Sequence, residues 1–387
     1  MSRPEPVRVS LGERSYDVLV GRDLFGSLCQ FVHDIRIPQR VHIFEDGGLP
    51  LSVREAASAS FERVQVSRSV YQLDESTKSL ATLHRMLVDL AEAQLERTDV
   101  VIALGGGILG DVAGLAGGLH RRGVSVVQCP TTLLSMVDAS VGGKTGVNMD
   151  ATINGAPVML KNAAGLFHQP VLVVADVNVM DTLPQRERRC GLAECIKHSL
   201  IAGRKATEAL RLDAAKASMR AVLEGDWSSV AGYVRENVAL KAQVVAADEH
   251  ESAEGDRPGR RALNLGHTFA HAIEACGQTR VDVDGQPLHP AHGEAVGLGL
   301  LAAARLAEVC LNVCDELRAT VQNALSSVGL PTRLVQSPEP AELIAAMRQD
   351  KKARSGQLRL VLPIADGVIM MDDPGDEALQ RAWTAIT

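Results

Sequence analysis

Aromatic side chains are scarce in this chain. Its 387 residues include two tryptophans, three tyrosines and six phenylalanines. That poverty, beside abundant alanine, leucine, valine and glycine, argues against an all-β sandwich. It favours helices packed closely on helices or on a sheet. No apolar run approaches about 18 residues, so no membrane-spanning helix is expected. Basic charge is not in excess either: 40 Lys and Arg face 47 Asp and Glu, for a net charge of −7. A nucleic-acid partner is therefore not expected. The seven cysteines are scattered with no CxxC, and read as small buried hydrophobes, not as a disulfide frame. The opening Met1-Ser2-Arg3-Pro4-Glu5-Pro6 lacks the apolar core of a secretion signal, so the expected location is the cytoplasm.

What is present is enough apolar residue for a large core, at 46% of the chain, and a length that suggests two domains. Residues 7–20 alternate about Gly12-Glu13-Arg14 as a β-hairpin does. Strands are expected at Val41 to Phe44, Phe61 to Val66, Val100 to Leu104, Val124 to Cys129 and Val171 to Ala175. Leu80, Leu83, Leu87 and Leu90 have helical spacing. Strands and helices thus alternate to about residue 180, the pattern of a doubly wound parallel sheet. Helical periodicity dominates afterwards, with helices near 187–202, 206–223, 227–247, 262–276, 292–312 and 315–328. Gln357 to Leu362 reads as one late strand. The expectation is a Rossmann-like α/β domain over 1–182 and an all-α metal-binding domain over 183–387.

Gly105-Gly106-Gly107-Ile108-Leu109-Gly110-Asp111 satisfies GxGxxG between a strand and a helix. Glycines there let the backbone approach a pyrophosphate at a helix N-terminus. The acidic ribose partner usual about 20 residues on is missing, since 125–130 reads Ser-Val-Val-Gln-Cys-Pro. Asp46, or Glu75 with Lys78, can supply one instead. A second glycine stretch ends in Gly142-Gly143-Lys144-Thr145, but a P-loop needs glycine at position 138, which is Asp138. Lys144 on its glycine turn still suits an anion.

His267 and His271 stand four residues apart, so on a helix both imidazoles share a face. His292 and Glu194 add a third imidazole and a carboxylate, a donor set suited to catalytic zinc. Cys195 is not counted, because helix neighbours at i and i+1 point apart.

These residues make the chain recognisable. It resembles the 3-dehydroquinate synthase family of the sugar-phosphate cyclases over about residues 41–365. The resemblance is carried by Gly105 to Asp111, Pro130 to Leu134, Val137 to Asn148, Lys161-Asn162, Gly191 to Lys197, Asn264 to Glu274, His292 to Ala295 and Asp350-Lys351-Lys352. It implies NAD at Asp46, Glu75, Lys78, Gly107, Ile108, Leu109, Gly110, Asp111, Thr131, Thr132, Lys144, Lys161 and Thr182. It implies zinc or cobalt at Glu194, His267 and His292, with His271 turned to substrate and not a ligand. It implies a substrate pocket of Arg122, Asn162, Lys241, Arg260, Lys351 and Lys352. Arg261 can replace Arg260, because the loop before them is long. Lys144, Lys197, Asn264, His271 and Asp138 are the implied catalytic set, with Asp138 orienting sugar hydroxyls.

The implied substrate is 3-deoxy-D-arabino-heptulosonate 7-phosphate, whose two anions suit a cationic pocket. The implied reaction is oxidation by NAD, elimination of phosphate, return of the hydride, ring opening and aldol closure to 3-dehydroquinate. A homodimer is implied too. Two inserts, 149–160 and 279–290, depart from the family. One alternative is a sister cyclase acting on sedoheptulose 7-phosphate. Such an enzyme has no substrate carboxylate to bind, whereas Lys241, Arg260, Asn264 and His271 fit a pocket that binds one. Another is a metal-dependent alcohol dehydrogenase of related fold, for which the cations are too many. A non-catalytic NAD-binding regulator has no use for Glu194, His267 and His292 together.

Overall fold

The computed structural model describes residues 3–61, 63–153, 155–253, 258–352 and 358–387. In chain order its strands are β1 (Val7–Val9), β2 (Tyr16–Gly21), β3 (Arg40–Asp46), β4 (Gln65–Tyr71), β5 (Val100–Gly105), β6 (Ser125–Pro130), β7 (Lys144–Ile153), β8 (Ala156–Phe167), β9 (Leu172–Asp176), β10 (Val281–Val283), β11 (Gln286–Leu288), β12 (Arg359–Ile364) and β13 (Gly367–Asp372). Its helices are α1 (Leu28–His33), α2 (Leu51–Ala59), α3 (Leu80–Glu92), α4 (Gly107–Leu119), α5 (Gln185–Ala202), α6 (Lys216–Glu224), α7 (Trp227–Ala247), α8 (His267–Ala275), α9 (His292–Leu311), α10 (Glu316–Ser327), α11 (Pro340–Lys352) and α12 (Asp376–Trp383). Two compact units result. One holds Met1–Pro184 with Trp227–Ala246, and the other holds the rest. Most of α7 therefore belongs to the first unit, although it lies in the later half of the sequence.

The first unit is built on a seven-stranded sheet in the order β1-β2-β9-β6-β5-β3-β4. All neighbours pair parallel except β1 with β2. Every residue of β5 is buried, as its unbroken apolar run requires of a central strand. Helix α3 begins at Ser79, whose hydroxyl accepts the Thr82 N–H. Its Leu83, Met86 and Leu90 join Phe44, Val101, Leu109, Val112, Leu115 and Val126 in one core. Each such side chain contributes about 1.5–3 kcal/mol by leaving water. Helix α4 lies close to the sheet and to the β7–β8 hairpin. A Cβ on Gly110, Gly114 or Gly117 would meet Gln128 Oε1 at 2.7 Å, Thr145 Cγ2 at 2.6 Å or Val126 Cγ2 at 2.4 Å.

The strand expected at Phe61 to Val66 is displaced. Phe61 is buried in the turn after α2, and the strand is the more polar β4 at the sheet edge. The insert 149–160 forms much of the antiparallel β7–β8 hairpin.

The second unit is mainly helical, with the small hairpins β10–β11 and β12–β13 added. The insert 279–290 contains the first of them. Helix α9 is buried along most of its length and packs against α5, α8, α10 and α12. Phe269 on α8 meets the fully buried Trp383 on α12, with ring centroids 5.1 Å apart. The expected helix 206–223 is α-helical only in α6. Gly203 (φ 54) has its backbone pressed on Gly367, and short 3-10 turns follow. The expected helix 262–276 is also divided. Gly266 takes φ 78, leaving a 3-10 turn, Gly259–Asn264, before α8. No helix among the described residues is long and apolar enough to cross a membrane.

Candidate active-site residues

In the first unit the strand order explains the missing ribose partner. Strand β3 lies between β4 and β5, so the winding reverses there. Ligands of open α/β sheets bind at the carboxyl ends of strands at such a reversal. Asp46 ends β3 and Gly105 ends β5, and a Cβ on Gly105 would lie 3.0 Å from the Asp46 Cβ. An acidic residue thus stands beside the glycine turn on the neighbouring strand in space. Gly106 and Gly107 have no positive φ. Smallness matters at Gly107, where a Cβ would come within 3.0 Å of Ala139 Cβ. Thr131 and Thr132 follow β6, and the Thr131 N–H donates to the Gly105 carbonyl at 3.0 Å. Backbone N–H groups at the α4 N-terminus and an adjacent carboxylate fit a dinucleotide.

Beside this turn, Lys78 is buried and donates to Asp111 and to Asn162, each at 2.6 Å. Burial pushes the Asp111 carboxyl up, and Lys78 opposes the shift. Asn148 ties the group to Glu75 at 2.8 Å. Lys161 is half-buried on β8 next to Asn162, and Lys144 is exposed at the start of β7. Asp138 lies in a π-helical turn, Ser135–Ala139, a local geometry common at functional sites. Lys241 of α7 donates to both its carboxylate and its carbonyl. Thr182 is exposed after β9. Arg122 is set apart within this unit. It is exposed at φ 66 beyond the far end of α4, roughly 20 Å of helix from the glycine turn.

In the second unit, one ligand atom each from Glu194, His267 and His292 lies within 4.8 Å of the others. Glu194 Oε1 is 3.8 Å from His267 Nε2 and 3.4 Å from His292 Nε2. The far ring nitrogens face acceptors. His267 Nδ1 is 3.2 Å from the Leu265 carbonyl, and His292 Nδ1 is 2.9 Å from Glu274 Oε1. Donation there leaves each Nε2 lone pair for a metal, the usual outer arrangement of a zinc histidine. Two imidazoles and a carboxylate are a donor set that fits catalytic zinc. Burial and the nearby Lys197 hold His267 down at about 3. Burial also pulls His292 down, but hydrogen bonds to Glu194 and Glu274 carry it up to about 10.

Glycine places these ligands. A Cβ on Gly293 would lie 2.3 Å from the Cys190 backbone, and one on Gly299 would lie 2.2 Å from the Gly266 carbonyl. Helix α9 thus meets α5 and the start of α8 at backbone distance, next to His292 and His267. The buried Glu294 adds a brace, accepting two bonds from Arg186 at 2.8 and 2.7 Å and one from the Ala291 N–H at 2.8 Å.

Lys197 is buried with Nζ 2.5 Å from Glu194 Oε2. The His271 ring lies 5.9 Å from that of His267, centroid to centroid, outside the converging trio. Asn264 donates to Glu251 Oε1 at 3.1 Å. Arg260 is buried and donates to the Glu249 carbonyl at 2.5 Å, while Arg261 reaches the Ala253 carbonyl at 3.0 Å. Lys351 and Lys352 end α11, and their side chains lie outside the described residues. Sequence reasoning missed Glu251, Glu274 and Asn148. The spacing of Glu274, seven residues after His267 and so on the same helix face, could have found one of them.

Comparison with known proteins covers both units. A family model described as 3-dehydroquinate synthase N-terminal matches residues 69–190, and one described as 3-dehydroquinate synthase C-terminal matches 191–353. A 3-dehydroquinate synthase of Nitrobacter winogradskyi is 37% identical, covering 99% of this chain and 96% of that protein. One from Caulobacter vibrioides is 39% identical, covering 97% of each. Among solved structures, a 2-epi-5-epi-valiolone synthase from Streptomyces hygroscopicus with NAD+ and Zn2+ bound superposes at a TM-score of 0.79. It is 24% identical, covers 97% of each chain, and so speaks to the fold alone.

Proposed function

The chain belongs to the 3-dehydroquinate synthase family, and we propose that it converts 3-deoxy-D-arabino-heptulosonate 7-phosphate to 3-dehydroquinate and phosphate. It is then a phosphate-eliminating carbon–oxygen lyase, at work in the cytoplasm as a homodimer. The observation that carries the reading is the convergence of Glu194, His267 and His292 within 4.8 Å in a chain of this family. When bound, zinc or cobalt supplies a Lewis acid for a substrate oxygen, and NAD supplies a reversible hydride acceptor.

The residues of the chain bind, hold and orient. Glu194, His267 and His292 would hold the metal, and Lys197 braces the Glu194 carboxylate from its other oxygen. Asp46, Glu75, Lys78, the turn Gly107 to Asp111, Thr131, Thr132, Lys144, Lys161 and Thr182 would hold the nucleotide. Asn162, Lys241, Arg260, Lys351 and Lys352 would supply cations and an amide for the substrate carboxylate and phosphate, whereas Arg122 stands apart beyond the far end of α4. Asn264 and His271 would orient the reacting groups, with Glu251 fixing the Asn264 amide. Asp138 would accept from sugar hydroxyls, its position set by Lys241. The substrate phosphate is itself a suitable proton acceptor during elimination, so no further base is required.

The sister reaction on sedoheptulose 7-phosphate is the competing reading, supported by the shared fold. Identity of 37–39% to 3-dehydroquinate synthases over nearly the whole chain weighs against it. Phosphate release by purified protein with NAD and zinc separates the two. Release from the heptulosonate phosphate and none from sedoheptulose 7-phosphate is expected; the reverse pattern would overturn the proposal.

A further inference from the structure

Asn148 sits where the β7–β8 hairpin breaks register. Val147 pairs with Ala164 and Met149 with Leu160, so one residue on β7 faces Lys161, Asn162 and Ala163 on β8. The break lets Asn162 take φ 51. Asn148 is 5% exposed, and its amide is engaged at both ends. Its Oδ1 accepts the Asn162 backbone N–H at 2.9 Å. Its Nδ2 donates to Glu75 Oε1 at 2.8 Å and to the Glu75 carbonyl at 3.2 Å. Because a backbone N–H must meet an oxygen, the amide has one workable orientation. The Asn148 backbone N–H also donates to the Lys78 carbonyl at 2.8 Å. Lys78 closes the ring through Asn162 Oδ1 and Asp111 Oδ2.

The buried Asn148 amide therefore joins two segments, the turn at 74–78 and the hairpin break, and Lys78 extends the link to Asp111 of α4. We propose that Asn148 is a positioning residue that sets Glu75 and Lys78 on the nucleotide side and Asn162 on the substrate side as a single arrangement. The assignment of those sides rests on the function proposed above. Neither Glu75 nor Asn162 is held in this way by its own strand or turn. The turn at 74–78 is closed internally by Asp74, whose Oδ1 accepts the Ser76 and Thr77 N–H groups, and that leaves the Glu75 side chain to be fixed from outside. Asn162 lies at the register break, where the ladder gives it no partner in register. A nucleotide that stiffens the turn would then also fix Asn162, and the converse holds by linkage.

A double-mutant cycle on NAD binding tests this, by calorimetry on the zinc-loaded full chain without sugar phosphate. Asn148→Asp keeps the acceptor and turns the donor into an oxygen facing Glu75. A lost donor with a buried repulsion is expected to weaken NAD about tenfold or more. In a Glu75→Gln background the amide introduced at 75 can donate to the carboxylate introduced at 148, so the same change should cost about threefold or less. Equal cost in both backgrounds, or unchanged NAD affinity, would overturn the proposal. Should Asn148→Asp fail to fold, Asn148→Ala removes the donor and is read in the same cycle. A raised KM for the heptulosonate phosphate with kcat less affected is the matching kinetic result. The NAD cycle stands apart from it, so a wrong substrate and a wrong role for Asn148 give different outcomes.

Discussion

His267 and His271 share a helix and differ in what surrounds them. His267 opens α8, with Nδ1 toward the Leu265 carbonyl and Nε2 toward Glu194. His271 lies one turn on, outside the trio. His267→Ala should abolish bound zinc in metal analysis of the purified protein. His271→Ala should keep the zinc and lose turnover, and loss of metal from both variants would return His271 to the ligand set. Glu274→Gln should weaken zinc by about 10–100-fold, because the His292 imidazole loses its orienting carboxylate. The ligand residues were legible as residue types in sequence. Their outer partners were not, because a partner such as Glu274 becomes visible only when α8 and α9 cross and bring it against His292.

At the scale of elements, the site depends on helices that touch through backbone. Gly293 lets α9 meet Cys190 of α5, next to His292 and one turn before Glu194, two of the proposed metal ligands. Gly293→Ala inserts a methyl at 2.3 Å from that backbone, so α9 must shift. Overpacking of this kind costs about 1–3 kcal/mol or more. A lowered melting temperature and weakened zinc binding are expected together. Gly232→Ala in α7, where the added carbon meets nothing within 4 Å, should hold or raise stability. The same scale shows where sequence reading runs out. Strands β3, β5, β6 and β9 have apolar runs that announce themselves, and the glycines of 105–110 do too. The β7–β8 hairpin does not, since its residues pair with each other and carry exposed Val158, Met159, Leu166 and Phe167. The helix expected over 262–276 hid the turn at Gly266, because periodicity says nothing of a left-handed residue that a crossing helix demands.

At the scale of the whole molecule, the early βαβ alternation and the later helices were legible, and the chain does contain a parallel sheet and a mainly helical unit. The route of the chain between them was not. Helix α7 follows α5 and α6 in sequence yet packs with the first unit, carrying Lys241 to Asp138 across 103 positions. Periodicity identifies such a helix and cannot say which core it joins. The fold also suits alcohol dehydrogenases, so the chemistry must be decided by what happens to the hydride. In the proposed reaction NAD is reduced and reoxidised within each turnover. The most direct measurement follows nicotinamide absorbance and phosphate release together, with the heptulosonate phosphate, zinc and a limited amount of NAD. Phosphate should accumulate far beyond the amount of NAD present while no NADH builds up. NADH rising in step with product, with turnover ending when NAD is exhausted, would contradict the account and make the chain a dehydrogenase.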